Sequence, residues 1–481
     1  MTSPAGVAAT APHASSGSTH AQLLASFAAA ARDRLPAEVT SDARERIVDV
    51  VGNALAAAAS TGPTEPHNAI NRMIEARGGA AEATTLIGTK AVPAASAALV
   101  NGTLAHALDF DDTHLPSVLH PSAAVVPAAL AVAEARGTSG STLLSAVAVG
   151  VEICNRLGMA AYVPRLRNST FFVKGLHATS ICGTIGAAAA SAMLLGLDEA
   201  GICSAMGIAA SMGAGIIEAN RTGGTVKRIH CGWAAHAGLE AALFAEAGIT
   251  GPPTVFEGTF GFLQAYLGDD RDDHQLIDEL GSRWELLRTV YKPYPSNHFT
   301  HPIVDCALAL RADGVRPEQI ADVEIGVAAT VLRTIAEPRE EKIHPRSAYH
   351  AKFSGPFVFA AAICGGGGLG VGLDDFTEAS LADARRQRIA ALCTLAADPI
   401  CEEEFPLAFS AVVRLRTTAG ILYERRVHSS RGGPDSPLTQ AQLEAKFRLN
   451  AGLVLDPGGV DALLRRLIDI PTMERFQSLL E

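Results

Sequence analysis

Four segments of this chain concentrate histidine, lysine and aspartate within apolar surroundings. The first, 101–121, reads NGTLAHALDFDDTHLPSVLHP and carries Asp109, Asp111, Asp112, His114 and His120. Three carboxylates and two imidazoles can bind a divalent metal ion. Asp111 or Asp112 can instead cap a helix, and Asp109 can orient a catalytic histidine. The residues alone rank helix capping first, an active-site loop second and a metal site third.

The second segment places His177 shortly after Lys174, at the predicted start of an alanine-rich helix. The positive end of the helix dipole lowers the pKa of a histidine there and favours the neutral imidazole. A neutral imidazole can accept a proton near pH 7. The alternative is a histidine that is satisfied by local backbone groups, and position alone favours that alternative.

The third segment, 223–232, reads GGTVKRIHCG and contains Lys227, Arg228 and His230. Its two glycines permit an irregular backbone. Because Lys227 and Arg228 are adjacent, at most one of them easily points inward, where it can hold a carboxylate or act as an acid. The Lys-Arg pair taken alone favours a solvated basic turn.

The fourth segment, 291–302, reads YKPYPSNHFTHP. Its prolines favour an extended chain, which we expect to enter a second domain. Polar residues at such a junction are typical of small-molecule pockets, and Lys292, Asn297 and His298 are the candidates. His301 is predicted to begin a helix and to be structural.

Together the four segments supply several histidines, two lysines and an aspartate. Abstraction of a proton next to a carboxylate needs a base, an acid for the leaving group and cations for the substrate's carboxylates. No G-x-S-x-G motif indicates a competing serine hydrolase. The combination therefore points to proton transfer at the carbon of a small acid.

The elements that must position these residues fall into two predicted domains. The pattern is helical over 20–276 and again over 434–481, whereas 277–433 is predicted to be α+β, after a disordered tail at 1–19. Asp42 and Glu45 resemble a capping box at a helix start. Alternating apolar residues predict a strand at 323–327 and a hairpin from 413–417 and 421–427. The run Gly365–Gly370 is interpreted as a connector, since it follows a helix rather than a strand.

Composition narrows the functional class. The net charge is −11 with no basic stripe, which argues against nucleic acid. The eight cysteines form no C-x-x-C pair, so neither a zinc site nor an iron–sulfur site is indicated. No segment has the roughly 18 consecutive apolar residues of a membrane span, and the N-terminus lacks the features of a signal or transit peptide. We expect a reduced, cytoplasmic protein with no membrane partner.

Taken in order, the segments resemble the MmgE/PrpD family over essentially everything after the first twenty residues. The resemblance rests on NGTLAHALDFDDTH with HPSAAVVPA, GLHATSICGTIGAAAASAMLLGL, GGTVKRIHCGWAAHAG, YKPYPSNHFTHP, AYHAKFSGPF and PLTQAQLEAKF. It implies a predominantly helical α+β fold, with a large discontinuous helical domain and a smaller α+β domain. It also implies a homodimer and a site between the domains that uses no metal or organic cofactor.

The resemblance further implies roles for particular residues. Asp109, Thr113 and His120 match an active-site loop, and His177 matches a catalytic histidine. The catalytic set expected on this basis is completed by Lys227. The expected substrate-binding residues are Thr113, Lys292, Arg228, His230, Asn297 and His298.

Known members dehydrate 2-methylcitrate, decarboxylate cis-aconitate or epimerise iminodisuccinate. Compared with the animal decarboxylase, this chain has Asn297 at the position of a histidine, with His298 one step later, and Phe357 at the position of an active-site tyrosine. These two departures favour a dehydratase acting on a citrate-like acid. Decarboxylation and epimerisation of an amino- or imino-dicarboxylate are the alternatives, and a non-catalytic member is the last.

Overall fold

The computed structural model describes residues 17–32, 34–88, 90–219 and 224–479, without the side chain of residue 166. Two compact units emerge. The first comprises residues up to 289 together with 443 onward, and the second comprises 290–442. The predicted tail at 1–19 falls mostly outside the described residues, but Thr19 is described and its hydroxyl accepts a hydrogen bond from the backbone of Gln22 at the start of a helix.

The first unit is built mainly from helices. In chain order they are α1 (His20–Ala31), α2 (Ala37–Ala58), α3 (Pro66–Arg77), α4 (Ala94–His106), α5 (Ser122–Arg136), α6 (Gly140–Ala160), α7 (Thr170–Val173), α8 (Ala178–Leu194), α9 (Glu199–Ala209) and α10 (His230–Glu246). A 3₁₀ helix at Val226–Ile229 leads directly into α10. The short strands are β1 (Ala83–Thr84), β2 (Ala91–Val92), β3 (Thr113–His114), β4 (Tyr162–Val163) and β5 (Asn168–Ser169).

Alanine and glycine let these helices pack closely. A Cβ atom added to Gly102 of α4 would lie 2.8 Å from the Cα of Gly232 in α10, and one added to Gly150 of α6 would lie 2.7 Å from the carbonyl oxygen of Gly186 in α8. Backbones can approach this closely only where no side chain separates them. The crossings surround a core in which α5 and α8 are almost wholly buried.

One predicted helix start is wrong. α2 begins at Ala37 with Pro36 as its N-cap, so Asp42 and Glu45 lie inside the helix and form no capping box. Asp42 instead accepts two hydrogen bonds from Arg46, one turn later on the same face. The prediction for His177 is confirmed, because this residue is the N-cap of α8. Gly196 after α8 has a φ of 76°, as expected of a helix terminator.

The second unit combines helices with a four-stranded sheet. The short strand β6 (Thr289–Val290) is not part of this sheet. The sheet contains β7 (Ile320–Val327), β8 (Cys393–Ala397), β9 (Ala411–Thr417) and β10 (Leu422–Val427) in the order β10-β9-β7-β8. β7 is parallel to β8 and antiparallel to β9. Its helices are α11 (His301–Ala312), α12 (Ala329–Ile335), α13 (Arg339–Ile343), α14 (Ala348–Ala351), α15 (Gly355–Ile363), α16 (Glu378–Leu381), α17 (Ala384–Leu392) and α18 (Pro399–Glu404).

The local predictions for this unit are confirmed. β9 and β10 pair as an antiparallel hairpin, and the alternating residues Val323, Ile325 and Val327 are all buried. His301 is the first residue of α11. The chain then forms α19 (Gln440–Ala451) and α20 (Pro457–Ile468), and from residue 443 it belongs to the first unit again. The predicted fold class, mostly helical α+β with a discontinuous helical domain, is confirmed.

Among the helices in the described ranges, α6 alone has the length and apolar composition of a membrane span. Its apolar stretch is completely buried among the other helices. Core helices meet the same criteria of length and composition, so α6 gives no separate indication of a membrane.

Candidate active site

The loop between α4 and α5 is held by a buried arginine. Arg46 of α2 donates to Asp112 at 3.0 Å and to the carbonyl oxygen of Thr289 at 2.7 Å. The same Asp112 oxygen accepts a hydrogen bond from the hydroxyl of Ser122, the first residue of α5, and the other oxygen accepts from its backbone nitrogen. Asp112 therefore binds the first residue of α5 without being its N-cap, which is Pro121.

A second set of contacts holds the middle of the same loop. The carbonyl oxygen of Phe110 accepts from the amide of Asn53 at 3.1 Å and from the ammonium of Lys446 in α19 at 3.0 Å. Lys446 is also paired with Asp49 at 2.7 Å. Directly before Phe110, Asp109 has a φ of 55°, a conformation that costs energy for any residue except glycine.

Four imidazoles from four different parts of the first unit meet beside this loop. His106 ends α4, His120 precedes α5, His177 caps α8 and His230 starts α10. The ring centroid of His106 lies 5.1 Å from that of His120 and 6.1 Å from that of His177. The ring centroids of His177 and His230 are 4.9 Å apart. A cluster of this kind can both accept and donate protons. We call it the histidine cluster.

His177 and His230 form an acid–base pair. Their Nδ1 atoms lie 2.7 Å apart, so one nitrogen must donate and the other must accept. In a neutral pair the donating ring has a free lone pair on Nε2, and the accepting ring carries its proton on Nε2. The pair can therefore present one proton acceptor and one proton donor at the same time.

The other two rings are oriented by oxygen atoms of the loop. His120 Nδ1 lies 2.6 Å from the carbonyl oxygen of Asp112 and 3.3 Å from the hydroxyl of Thr113. His106 Nδ1 lies 2.8 Å from Asp111 Oδ2, which is also 3.8 Å from His120 Nδ1. A carbonyl oxygen only accepts, so His120 donates from Nδ1 and its neutral form has an unprotonated Nε2.

Burial and charge keep part of the cluster neutral. Burial, aided by the positive charge of Lys227, holds the pKa of His177 well below its ordinary value. Burial, together with His106 and Lys227, lowers the pKa of His230 to about 4. Burial also raises the pKa of Asp112 to about 6, although Arg46 acts in the opposite direction. Near pH 7 the His177–His230 pair is therefore uncharged and Lys227 supplies positive charge beside it.

The donor atoms also allow the metal alternative to be examined. Ligand atoms of Asp109, Asp111 and His120 lie within 4.8 Å of one another, as do those of His106, Asp111 and Cys231. Burial raises the pKa of the Cys231 thiol well above its usual range, which disfavours the thiolate that a metal would bind. The His106 and Asp111 atoms are already engaged with each other.

The remaining candidates of the first unit lie close by. Arg228 forms an ion pair with Glu65 at 3.0 Å in which both side chains are part-exposed. His114, from the first segment, is fully buried and hydrogen-bonds Ser117 and Glu285. It therefore stabilises the loop between α4 and α5. Gly223 of the third segment lies outside the described residues.

Lys292, Asn297 and His298 belong to the second unit. Lys292 is buried, the side chain of Asn297 accepts the backbone N–H of Phe299 at 3.1 Å, and His298 Nε2 lies 3.3 Å from the hydroxyl of Ser430. Phe357 is buried, with its ring 6.0 Å from that of Phe376. The substrate-binding roles expected for Lys292, Asn297 and His298 stay predictions.

Sequence reasoning missed His106. Its ring is buried and in contact with the cluster, yet it appears in the sequence as one more residue of an apolar helix. The available signal was its position as the last residue of α4, five residues before an aspartate, which allows the imidazole to turn back on the loop.

Comparison with known proteins decides the family. The MmgE/PrpD N-terminal domain matches residues 22–275, and the MmgE/PrpD C-terminal domain matches residues 294–469. The chain belongs to the MmgE/PrpD family. The resemblance found in the sequence motifs is thereby confirmed.

Relatives of this MmgE/PrpD protein include several named decarboxylases. The human cis-aconitate decarboxylase is 30% identical over 80% of this chain and 78% of its own length. The mouse cis-aconitate decarboxylase is 29% identical over 78% of this chain and 75% of its own length. A cis-aconitate decarboxylase-like protein of Aspergillus oryzae is 26% identical over 80% of this chain and 81% of its own length.

Proposed function

We propose that this protein is a lyase that transfers a proton at a carbon next to a carboxylate of a small polycarboxylic acid. The observation that carries the proposal is the convergence of four imidazoles, three of them buried, beside Lys227. The relatives named as cis-aconitate decarboxylases support a carboxy-lyase as the first candidate, with an unsaturated tricarboxylate such as cis-aconitate as substrate.

The chemistry of that candidate fits the groups in the site. The bond between carbon and the departing carboxylate breaks, carbon dioxide leaves, and the electron pair stays on the remaining allylic carbon skeleton. A cation beside a remaining carboxylate stabilises this charge, and Lys227 is suited to that task. An imidazolium then delivers a proton to carbon, becomes a neutral imidazole and regains a proton from water.

Dehydration of a citrate-like acid is the second candidate. Phe357 has no hydroxyl and is packed against Phe376, at the position where the animal decarboxylase carries an active-site tyrosine. Asn297 stands where that enzyme has a histidine and is engaged with the backbone of its own turn. In this reaction a histidine removes the proton and a second one protonates the departing hydroxyl.

Proton NMR in deuterium oxide separates these candidates. Purified protein is incubated with a panel of di- and tricarboxylates that includes cis-aconitate and 2-methylcitrate. Carbon dioxide release with one deuterium in the product supports decarboxylation, and alkene formation with loss of water supports dehydration. Deuterium incorporation without either change indicates an epimerase, and no reaction with any member of the panel contradicts the proposal.

Two controls sharpen this experiment. His177→Ala is expected to lose activity by about 100-fold or more while keeping its fold. His236→Ala is expected to keep its activity, because His236 lies on the same unit but is hydrogen-bonded only to the backbone of Ala95.

Treatment with a chelator is expected to leave the rate unchanged. Activity that is lost with the chelator and restored by a metal would favour the metal alternative.

We further propose that the protein acts in the cytoplasm as a homodimer, without an organic cofactor and without nucleic-acid or membrane partners. The family resemblance and the net charge of −11 support this. Light scattering coupled to gel filtration tests the dimer directly, and a mass equal to one chain would contradict it.

A further inference from the structure

His106 has a place in the histidine cluster that the motifs did not assign. It is 3% exposed, and its Nδ1 atom lies 2.8 Å from a carboxylate oxygen of Asp111. Its Nε2 atom makes no hydrogen bond to any group in the described part of the chain. The ring is in contact range of both His120 and His177, so its Nε2 atom lies among the proton-transfer groups.

The bond to Asp111 fixes the form of this imidazole. An ionised carboxylate only accepts, so Nδ1 donates and the neutral ring keeps its lone pair on Nε2. When Nε2 takes up a proton, the adjacent negative charge stabilises the resulting imidazolium. This is the arrangement by which a carboxylate orients the base histidine of a catalytic triad.

The other three histidines direct Nδ1 to other partners. His120 Nδ1 lies 2.6 Å from the carbonyl oxygen of Asp112 and 3.8 Å from the Asp111 carboxylate. The Nδ1 atoms of His177 and His230 lie 2.7 Å from each other. Among these Nδ1 contacts, that of His106 is the one made at hydrogen-bond distance to a carboxylate.

We infer that Nε2 of His106 exchanges the proton with the substrate carbon, and that Asp111 is its positioning residue. This inference rests on the proposed lyase function. In decarboxylation the imidazolium gives its Nε2 proton to the carbon that has gained the electron pair, becomes neutral and is reprotonated by water. In dehydration the neutral ring takes the proton, and the electron pair passes towards the carbon that loses the hydroxyl.

His106→Asn is the decisive variant. The asparagine amide can still donate to Asp111 from nearly the position of Nδ1, but it has nothing at the position of Nε2. We expect kcat to fall by about 10²- to 10⁴-fold, with KM changed little and with unchanged thermal unfolding. His236→Asn is the matched control, and its kcat is expected to equal that of the wild type.

Asp111→Asn tests the positioning role independently. It removes the carboxylate that accepts from Nδ1, so the imidazolium formed in the proposed step loses its adjacent negative charge. We expect kcat to fall while KM changes little. A purely structural Asp111 would lower the amount of folded enzyme and leave kcat per folded molecule unchanged.

The outcomes separate this inference from the function on which it rests. If the wild-type protein turns over a polycarboxylate and His106→Asn does so at the same rate, the inference is overturned and the lyase function stands. If the wild-type protein converts no member of the panel, the function fails and the inference fails with it. Nitrogen-15 NMR of labelled histidine gives a second readout, since a ring protonated on Nε2 and not on Nδ1 contradicts the assigned tautomer.

Discussion

At the scale of single residues, Lys227 determines much of the charge in the cluster. Its ammonium group lowers the pKa of both His177 and His230, after burial has already lowered each. Two neutral imidazoles and one cation suit an anionic substrate, because the histidines remain free to exchange protons while the lysine attracts a carboxylate.

Lys227→Met is expected to change binding and titration together. Loss of the cation should raise KM for the polycarboxylate by about 10-fold or more, since a hydrogen bond to a charged group contributes about 1.5–3 kcal/mol. The pKa values of His177 and His230 should both rise, which histidine NMR titration measures. Lys174→Met is the control, because this exposed lysine contacts the backbone of Tyr266, and an equal KM increase in both variants would contradict the assigned role.

At the scale of elements, the crossing of α4 and α10 determines where two of the histidines lie. Gly102 precedes His106 by one turn of α4, and Gly232 follows His230 within the first turn of α10. A Cβ atom at position 232 would lie 2.3 Å from the carbonyl oxygen of Leu99. Close backbone contact at the crossing therefore brings the end of one helix near the start of the other.

Gly232→Ala is expected to separate these helices. The added methyl group meets backbone atoms that cannot rotate away, so we expect a loss of about 1–3 kcal/mol in the free energy of unfolding and a lower kcat in the remaining folded protein. Gly458→Ala in α20 is the control, because the nearest atom is 3.5 Å from the new Cβ and alanine is the better helix former. Equal stability of the two variants would show that the crossing tolerates a side chain.

The loop between α4 and α5 is held in part by α19, a helix near the C-terminal end of the chain. Lys446 of α19 and Asp49 of α2 form a buried pair at 2.7 Å, and Lys446 also binds the carbonyl oxygen of Phe110. Removal of one partner leaves an uncompensated charge in the interior, which costs far more than the pair itself contributes. The loop beside the cluster is thus stabilised by a C-terminal helix of the first unit, which returns to that unit after the second one.

Lys446→Met should lower the free energy of unfolding by about 3–5 kcal/mol, measured by denaturant titration. Arg448→Met provides a control from the same helix, because Arg448 pairs with Asp461 where both side chains are about half exposed, and such pairs contribute about 1 kcal/mol or less. Adding Asp49→Asn to Lys446→Met should restore part of the stability. If the double variant is less stable than the single one, the unpaired charge is not the cause.

At the scale of the whole molecule, the buried histidines link folding to pH. His230 has a pKa of about 4 in the folded protein and about 6.5 in an unfolded chain. Between these values the unfolded chain binds a proton that the folded protein does not, so stability falls as pH falls. Asp112, with its pKa raised to about 6, acts in the opposite direction between about 4 and 6, because the folded protein then binds the extra proton.

Comparison of the wild type with His230→Asn isolates the histidine contribution, since Asp112 is common to both. Asparagine does not titrate, so the free energy of unfolding of the variant should depend less steeply on pH between about 6.5 and 4. The difference in slope is expected to approach 1.4 kcal/mol per pH unit, about one proton equivalent. Parallel curves across that window would contradict the lowered pKa of His230.

The sequence by itself determined the family, the fold class and the elements whose signals are local. The β9–β10 hairpin, the start of α8 at His177 and the start of α11 at His301 depend on residues within a few positions of each other, and their predictions are confirmed. The misplaced start of α2 shows the limit of such signals: Asp42 and Glu45 fit a capping box, but the helix begins at Ala37 and Asp42 pairs with Arg46.

Tertiary structure alone decided which polar residues meet. Asp112 reaches Arg46 across 66 positions and Lys446 reaches the Phe110 carbonyl across 336, distances at which sequence patterns carry no information about contact. The same holds for His106, whose apolar surroundings in the sequence resemble any buried helix. Its ring joins the cluster because α4 and α10 cross at two glycines and because the anchored loop places Asp111 beside it.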